Sequence, residues 1–220
     1  MNNLLLENNH FPSRETRILL PGPVGRLEAV VVGPATIPAA IGIICHPHPL
    51  YGGTFNNKVV TTIARTWLKM GLAVIRFNFR GVGASEGHYA AGAGETDDAL
   101  AVLEFAQAAY PTCQIWLAGF SFGAYVALQV AQQRSIAQLV TVAPPAGNFD
   151  FSNIKQVTCP WLVIQGNQDE VVVPDTVYAW LRQFSPPPTL IRLPKAGHFF
   201  HGQLGELQTA LENATRSSTP

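Results

Sequence analysis

Six short apolar runs constrain this chain more than any other feature: Ala40–Cys45, Leu72–Phe79, Gln114–Ala118, Gln138–Ala143, Trp161–Gln165 and Thr189–Leu193. They are nearly continuous rather than alternating, which is how strands read when both faces are buried. Segments with apolar residues at helical spacing separate them, at about 57–70, 95–109, 122–133 and 175–184, with a last one near 202–213. Strand and helix in alternation predict a parallel sheet crossed by helices on both faces. Ahead of this pattern, Ile18–Leu20 and Leu27–Val32 flank the turn-rich Pro21–Gly25 and read as a hairpin. The expected fold is therefore α/β, a mostly parallel sheet of about eight strands. No large cap domain is expected, because only a short Pro- and Gly-containing segment joins Ala143 to Pro160.

With 220 residues, 47% of them apolar, the chain is long enough for one domain with a sizeable core, expected over about 14–213. The tail Arg216–Pro220 is small and polar and is expected to fray. Lys plus Arg and Asp plus Glu number 14 each, so no net field draws the chain to nucleic acid or to an anionic membrane. A small molecule held in a pocket is the expected partner, and a monomer and a homodimer are equally compatible with the sequence. Cys45, Cys113 and Cys159 are odd in number and lie in or beside apolar runs, which reads as buried thiols in a reducing compartment. The N-terminal apolar stretch, Leu4–Leu6, is short, and no apolar run reaches the roughly 18 residues of a membrane span. A cytoplasmic location is the resulting expectation.

Polar residues sit where the strands of such a sheet end, which is where its sites are built. After the run Gln114–Ala118 comes Gly119-Phe120-Ser121-Phe122-Gly123, and the helical pattern begins at once. A serine in a turn this tight needs neighbours two residues away with almost no side chain, and Gly119 and Gly123 meet that need. The helix behind it directs its positive end at the serine oxygen. A serine that merely caps the helix is the bland alternative. Asp169 follows the next-to-last run and His198 the last, so the order Ser121, Asp169, His198 places each on the loop after a separate strand. A serine hydroxyl is a weak nucleophile until an imidazole takes its proton, and the imidazole needs a carboxylate to hold its tautomer. Glu170 competes with Asp169 as the acid, Asp175 reads as a helix-start residue and His201 as a surface or capping histidine.

One donor of an oxyanion hole is expected from the N–H of Phe122 and the other from Cys45-His46-Pro47-His48-Pro49-Leu50-Tyr51. Proline has no N–H, which leaves His48, Leu50 and Tyr51, with His48 favoured. His46 and His48 also alternate as metal ligands can, but Pro49 interrupts the strand and no Asp-His pair follows, so neither metal nor cofactor is expected. Arg80-Gly-Val-Gly-Ala-Ser-Glu-Gly lacks the Lys-Ser/Thr ending of a phosphate loop and reads as a structural loop with Arg80 in an ion pair. Tyr51, Phe120 and Phe199 flank these turns and are the expected substrate walls.

Taken together, His46-Pro-His-Pro-Leu-Tyr-Gly-Gly-Thr with Asn57-Lys58, the Arg80 loop, Gly119-Phe-Ser-Phe-Gly, Gln165-Gly-Asn-Gln-Asp and Gly197-His-Phe-Phe resemble a group of small, lidless bacterial serine hydrolases of the α/β-hydrolase superfamily. The resemblance spans about residues 14–213 and implies a Ser121–Asp169–His198 triad with esterase-like chemistry. Ser121 stands where dienelactone-hydrolase relatives carry cysteine and dehalogenases carry aspartate. The expected activity is hydrolysis of small, accessible carboxylic esters or thioesters through an acyl-enzyme. A peptidase or amidase on the same three residues, and a non-catalytic binding protein on the same fold, are the alternatives.

Overall fold

In a computed structural model, residues 11–215 are described; Leu4–Leu6 and Arg216–Pro220 lie outside them. The eight strands are β1 Thr16–Gly22, β2 Gly25–Val32, β3 Ala40–Cys45, β4 Ala73–Phe77, β5 Gln114–Phe120, β6 Gln138–Val142, β7 Trp161–Gly166 and β8 Thr189–Leu193. The helices are α1 Lys58–Lys69, α2 Ala93–Ala109, α3 Phe122–Ala131, α4 Pro174–Leu181 and α5 Leu204–Thr215. All strands form one sheet in the order β1-β2-β4-β3-β5-β6-β7-β8. Pairing is antiparallel on both sides of β2 and parallel from β4 to β8. The chain goes outward from β3 to β4 and then returns to β5 on the other side of β3. That reversal opens a crevice at the carboxyl ends of β3 and β5, where Cys45 pairs with Gly119.

Strands β3, β4, β6 and β7 are buried at every residue, which is why they appeared as nearly continuous apolar runs. One face of the sheet is covered by α2, α3 and α4 through Leu103, Val126 and Val177. The other carries α1 and α5 through Ile63, Trp67, Leu207 and Leu211. Gly42 has a packing reason to lack a side chain, since a Cβ there would overlap the indole of Trp67. That indole in turn meets Trp116 edge-on, with ring centroids 5.8 Å apart.

Among the six apolar runs, two strand ends differ by two residues and the rest agree within one. Strand β5 continues to Phe120 because the backbone stays extended up to the tight turn, whereas β4 stops at Phe77. Beyond it, Asn78 and Phe79 bond outward: Asn78 Oδ1 accepts from the Phe55 N–H at 2.9 Å and the Phe79 N–H donates to His46 Nε2 at 3.1 Å. The loop that follows β4 is pinned. Arg80 and Asp98 form a buried pair at 2.7 Å, and Glu28 Oε2 accepts from Asn78 Nδ2 and the Ala84 N–H. The segment 143–160 holds only an isolated bridge between Ala146 and Phe149, so no cap covers the crevice. Of the cysteines Cys45 is buried, while Cys113 and Cys159 are only half-buried, a correction to the expectation for all three; none is in a disulfide. Among the described residues no helix is long and apolar enough to cross a membrane.

Candidate active site

Ser121 sits between β5 and α3 with φ 53° and ψ −120°, a backbone conformation that costs a non-glycine residue on the order of 1–3 kcal/mol. The surroundings hold it there. Its N–H donates to the Val142 carbonyl at 2.9 Å, and its own carbonyl accepts from Ala124 at 2.8 Å. The flanking glycines are a matter of space: a Cβ on Gly119 would overlap the Gly123 carbonyl, and one on Gly123 would overlap the Cys45 carbonyl. The turn is therefore pressed against the end of β3.

His198 lies on the loop after β8 and Asp169 on the loop after β7. Backbone bonds from Asn167 to Leu193 and from Gln168 to Ala196, both 3.0 Å, tie these loops together. His198 Nδ1 is 2.9 and 3.1 Å from the two Asp169 oxygens, and Nε2 is 3.1 Å from Ser121 Oγ. A carboxylate only accepts, so the proton is on Nδ1 and the Nε2 lone pair faces the serine hydroxyl. Asp169 also accepts from the Val171 and Val172 N–H groups at 2.9 and 2.7 Å and from Gln165 Nε2 at 2.9 Å. Burial alone would raise its carboxyl. The bonds from His198, Val172 and Val171 outweigh that and hold it below the usual carboxylate range. Glu170 serves the backbone instead, accepting from the His198 N–H at 3.2 Å. Its part, like that of Gln165, had no signal in the sequence beyond proximity to Asp169.

The loop after β3 runs beside this line, and every imidazole nitrogen in it is engaged. His46 is buried between the Pro47 carbonyl at Nδ1 and the Phe79 N–H at Nε2, and burial lowers its pKa to about 4. His48 Nδ1 accepts from the Leu50 N–H at 3.2 Å, so its Nε2–H faces Tyr89 Oη, also at 3.2 Å. Burial lowers the His48 pKa as well. The Tyr51 N–H is used within the same turn, donating to the His48 carbonyl at 3.1 Å. Of the three candidate donors, Leu50 and Tyr51 are thus consumed. No protein acceptor among the described residues meets the N–H of His48 or of Phe122. The two rings of these residues lie 5.0 Å apart.

The aromatic residues separate by exposure. Phe120 is fully buried, its ring 5.1 Å from that of His198, and it supports the imidazole from the core. The expectation that it walls a substrate is corrected accordingly: strand β5 continues through it and turns the side chain inward. Tyr51 is 87% exposed and Phe199 43%, and both stand at the mouth. His201 is exposed in the turn before α5, its ring stacked on Phe199 at 5.9 Å. A groove of about 340 Å³ opens beside Phe199 towards the start of α1. A larger cavity of about 550 Å³ lies at the other end of the sheet, around Trp161 and Thr189 where β7 and β8 begin, away from this line.

The arrangement has what acyl transfer requires: a hydroxyl facing an imidazole nitrogen, an imidazole oriented by a carboxylate and unpaired amides nearby. Comparison with known proteins agrees with the class. Residues 24–154 match the model of the X-Pro dipeptidyl-peptidase (S15) family. An uncharacterized protein of Rickettsia prowazekii, RP471, is 35% identical over 207 residues, covering 90% of this chain and 87% of its own length. The structure of XC6422 from Xanthomonas campestris, an α/β serine hydrolase without a lid, superposes with a TM-score of 0.90 at 46% identity, covering 96% of this chain and 97% of the other. An α/β serine hydrolase homologue from Coxiella burnetii gives 0.87 at 48% identity, covering 90% and 96%.

Proposed function

This lidless α/β serine hydrolase belongs to the X-Pro dipeptidyl-peptidase (S15) family, and on that premise we propose that it hydrolyses carboxylic esters of small, accessible substrates, with Ser121 as nucleophile, His198 as base and Asp169 as its orienting acid. The observation that carries the reading is the continuous line from Ser121 Oγ through His198 to Asp169, at 3.1 and 2.9 Å. His198 Nε2 takes the hydroxyl proton as Ser121 Oγ attacks the ester carbonyl. The charge that develops on the carbonyl oxygen is met by the N–H groups of His48 and Phe122 and by the positive end of α3. The imidazolium then returns the proton to the departing alkoxide or thiolate, leaving an acyl group on Ser121. Water attacks that acyl group by the same steps in reverse, again with His198 as base, and frees the acid.

The family match favours a second reading, cleavage after an Xaa-Pro pair. An enzyme that releases dipeptides has to hold a free α-ammonium group near the scissile bond. Among the described residues, the groove beside Phe199 presents Lys58 and no carboxylate, which favours the ester. A fluorophosphonate probe is expected to label Ser121, located by mass spectrometry, and Ser121→Ala to abolish labelling. Matched 4-nitrophenyl acetate, its thioester counterpart and Gly-Pro-4-nitroanilide then decide the bond. Turnover of the anilide at a rate equal to the ester would replace the esterase reading with the peptidase one.

A further inference from the structure

Resting on the hydrolase reading above, we infer that the groove beside His198 is a subsite for an organic anion, and that the preferred substrates are esters bearing a free carboxylate. The groove lies between the loop leading into α1 and the turn after His198, and is lined by Thr54, Asn56, Asn57, Lys58, Phe199 and His201. It starts one residue from the base, since the rings of Phe199 and His198 are 5.0 Å apart and nearly perpendicular. The same imidazole has Ser121 Oγ at 3.1 Å from its Nε2. At about 340 Å³ the space suits a compact group rather than a long chain.

The lining is one-sided in charge. Lys58 forms no ion pair among the described residues, and no aspartate or glutamate lines the groove. Arg76, whose Nη1 approaches Asn56 Oδ1 of the lining at 3.5 Å, is already satisfied by Glu15 at 2.7 Å and the Phe55 carbonyl at 2.9 Å. Two side-chain acceptors in the lining, which also holds the His201 imidazole, are committed as well. Asn57 Oδ1 takes the Val59 N–H at 2.9 Å, which leaves the Asn57 NH2 as a donor, and Thr54 Oγ1 takes the Asn56 N–H at 3.2 Å. What the groove offers is an ammonium group and amide donors beside the flat apolar wall of Phe199. A carboxylate at the end of a short apolar spacer answers both, through charge-assisted hydrogen bonds at one end and contact with the ring along the other. The spacer is carried on either the acyl or the alcohol part of the ester, and the two are separable by experiment.

The test compares 4-nitrophenyl hemiglutarate with 4-nitrophenyl valerate for the acyl side, and 4-acetoxybenzoate with 4-methylphenyl acetate for the alcohol side. In one of the pairs the anionic ester is expected to have the higher kcat/KM through KM, by about fivefold, the upper range for a solvent-facing ion pair. Lys58→Gln should erase that ratio, Lys58→Arg should retain it, and Lys58→Glu should invert it. Glutarate alone, titrated calorimetrically, should bind the wild type and bind Lys58→Gln about fivefold more weakly. This arm needs no turnover, so it stays informative if no ester is cleaved: bound glutarate with no turnover would overturn the esterase reading and keep the anion site. Equal kcat/KM within both pairs, or glutarate binding unaffected by Lys58→Gln, overturns the inference.

Discussion

Asp169 is held by more hydrogen bonds than orienting an imidazole requires. Its oxygens accept from His198, Val171, Val172 and Gln165, so the carboxylate stays ionised well into acid and its plane is fixed before substrate arrives. Protonation of Asp169 is therefore not expected to limit activity as the pH falls through the ordinary carboxylate range. His198→Ala should match Ser121→Ala in damage, each lowering kcat by about five to six orders of magnitude. Asp169→Asn should cost about 10⁴-fold, because an amide can turn a donor towards Nδ1 and favour the wrong tautomer. Steady-state kinetics on a reactive ester reads all three. A His198→Ala enzyme within tenfold of wild type would remove it from the mechanism. Glu170 shows why neighbours in sequence cannot be told apart without the fold. It adjoins Asp169 but meets the His198 backbone, whereas Asp169 meets the ring.

At the scale of elements, α1 matters twice, as cover for one face of the sheet and as carrier of Lys58 at its first residue. Its seat depends on Gly42 in β3, against which the Trp67 indole packs. Gly42→Ala should destabilise the protein by about 1–3 kcal/mol, the usual cost of forcing a methyl group into a filled core. The urea midpoint should fall with the slope unchanged. Combining it with Trp67→Leu should cost less than the sum of the two single changes, because the smaller side chain vacates the space the new methyl group needs. Strict additivity would show that the two positions do not touch. The helices themselves were legible from periodicity, with α5 beginning at Leu204, two residues later than its apolar pattern suggested, because the chain is still turning at Phe200, which has φ 53°. The contact between Gly42 and Trp67 was not legible, since it joins residues 25 positions apart through a crossover.

For the molecule as a whole, the buried His46 makes stability depend on pH. Its imidazole titrates near 6.5 when unfolded and near 4 when folded, so between these values the unfolded chain holds the extra proton. Stability is therefore complete above about pH 6.5 and declines as the pH falls towards 4, by roughly 3 kcal/mol in all. The cause is burial first, opposed by the Nδ1 bond to the Pro47 carbonyl. Urea midpoints measured from pH 7 to 4 should fall over this window, and His46→Asn should flatten the curve while lowering its plateau. An unchanged slope in that variant would assign the proton elsewhere. Because His46 joins the loop after β3 to the end of β4, the same proton should loosen the loop that carries the His48 amide.

Taken alone, the amino-acid sequence determined the layers and the order of the key side chains. Strands buried on both faces leave few polar positions in their runs, and a serine between two glycines at the end of such a run has few uses other than a tight turn. Those are local properties, written within a handful of residues. The tertiary structure decided which amides stay unpaired, that Phe120 faces the core, that Tyr89 and the Leu50 amide hold the His48 ring, and that Lys58 shares a groove with Phe199. Each of these depends on the strand order β4-β3-β5 and on loops from distant strands meeting above it, a placement that packing of the whole sheet sets and no local pattern encodes.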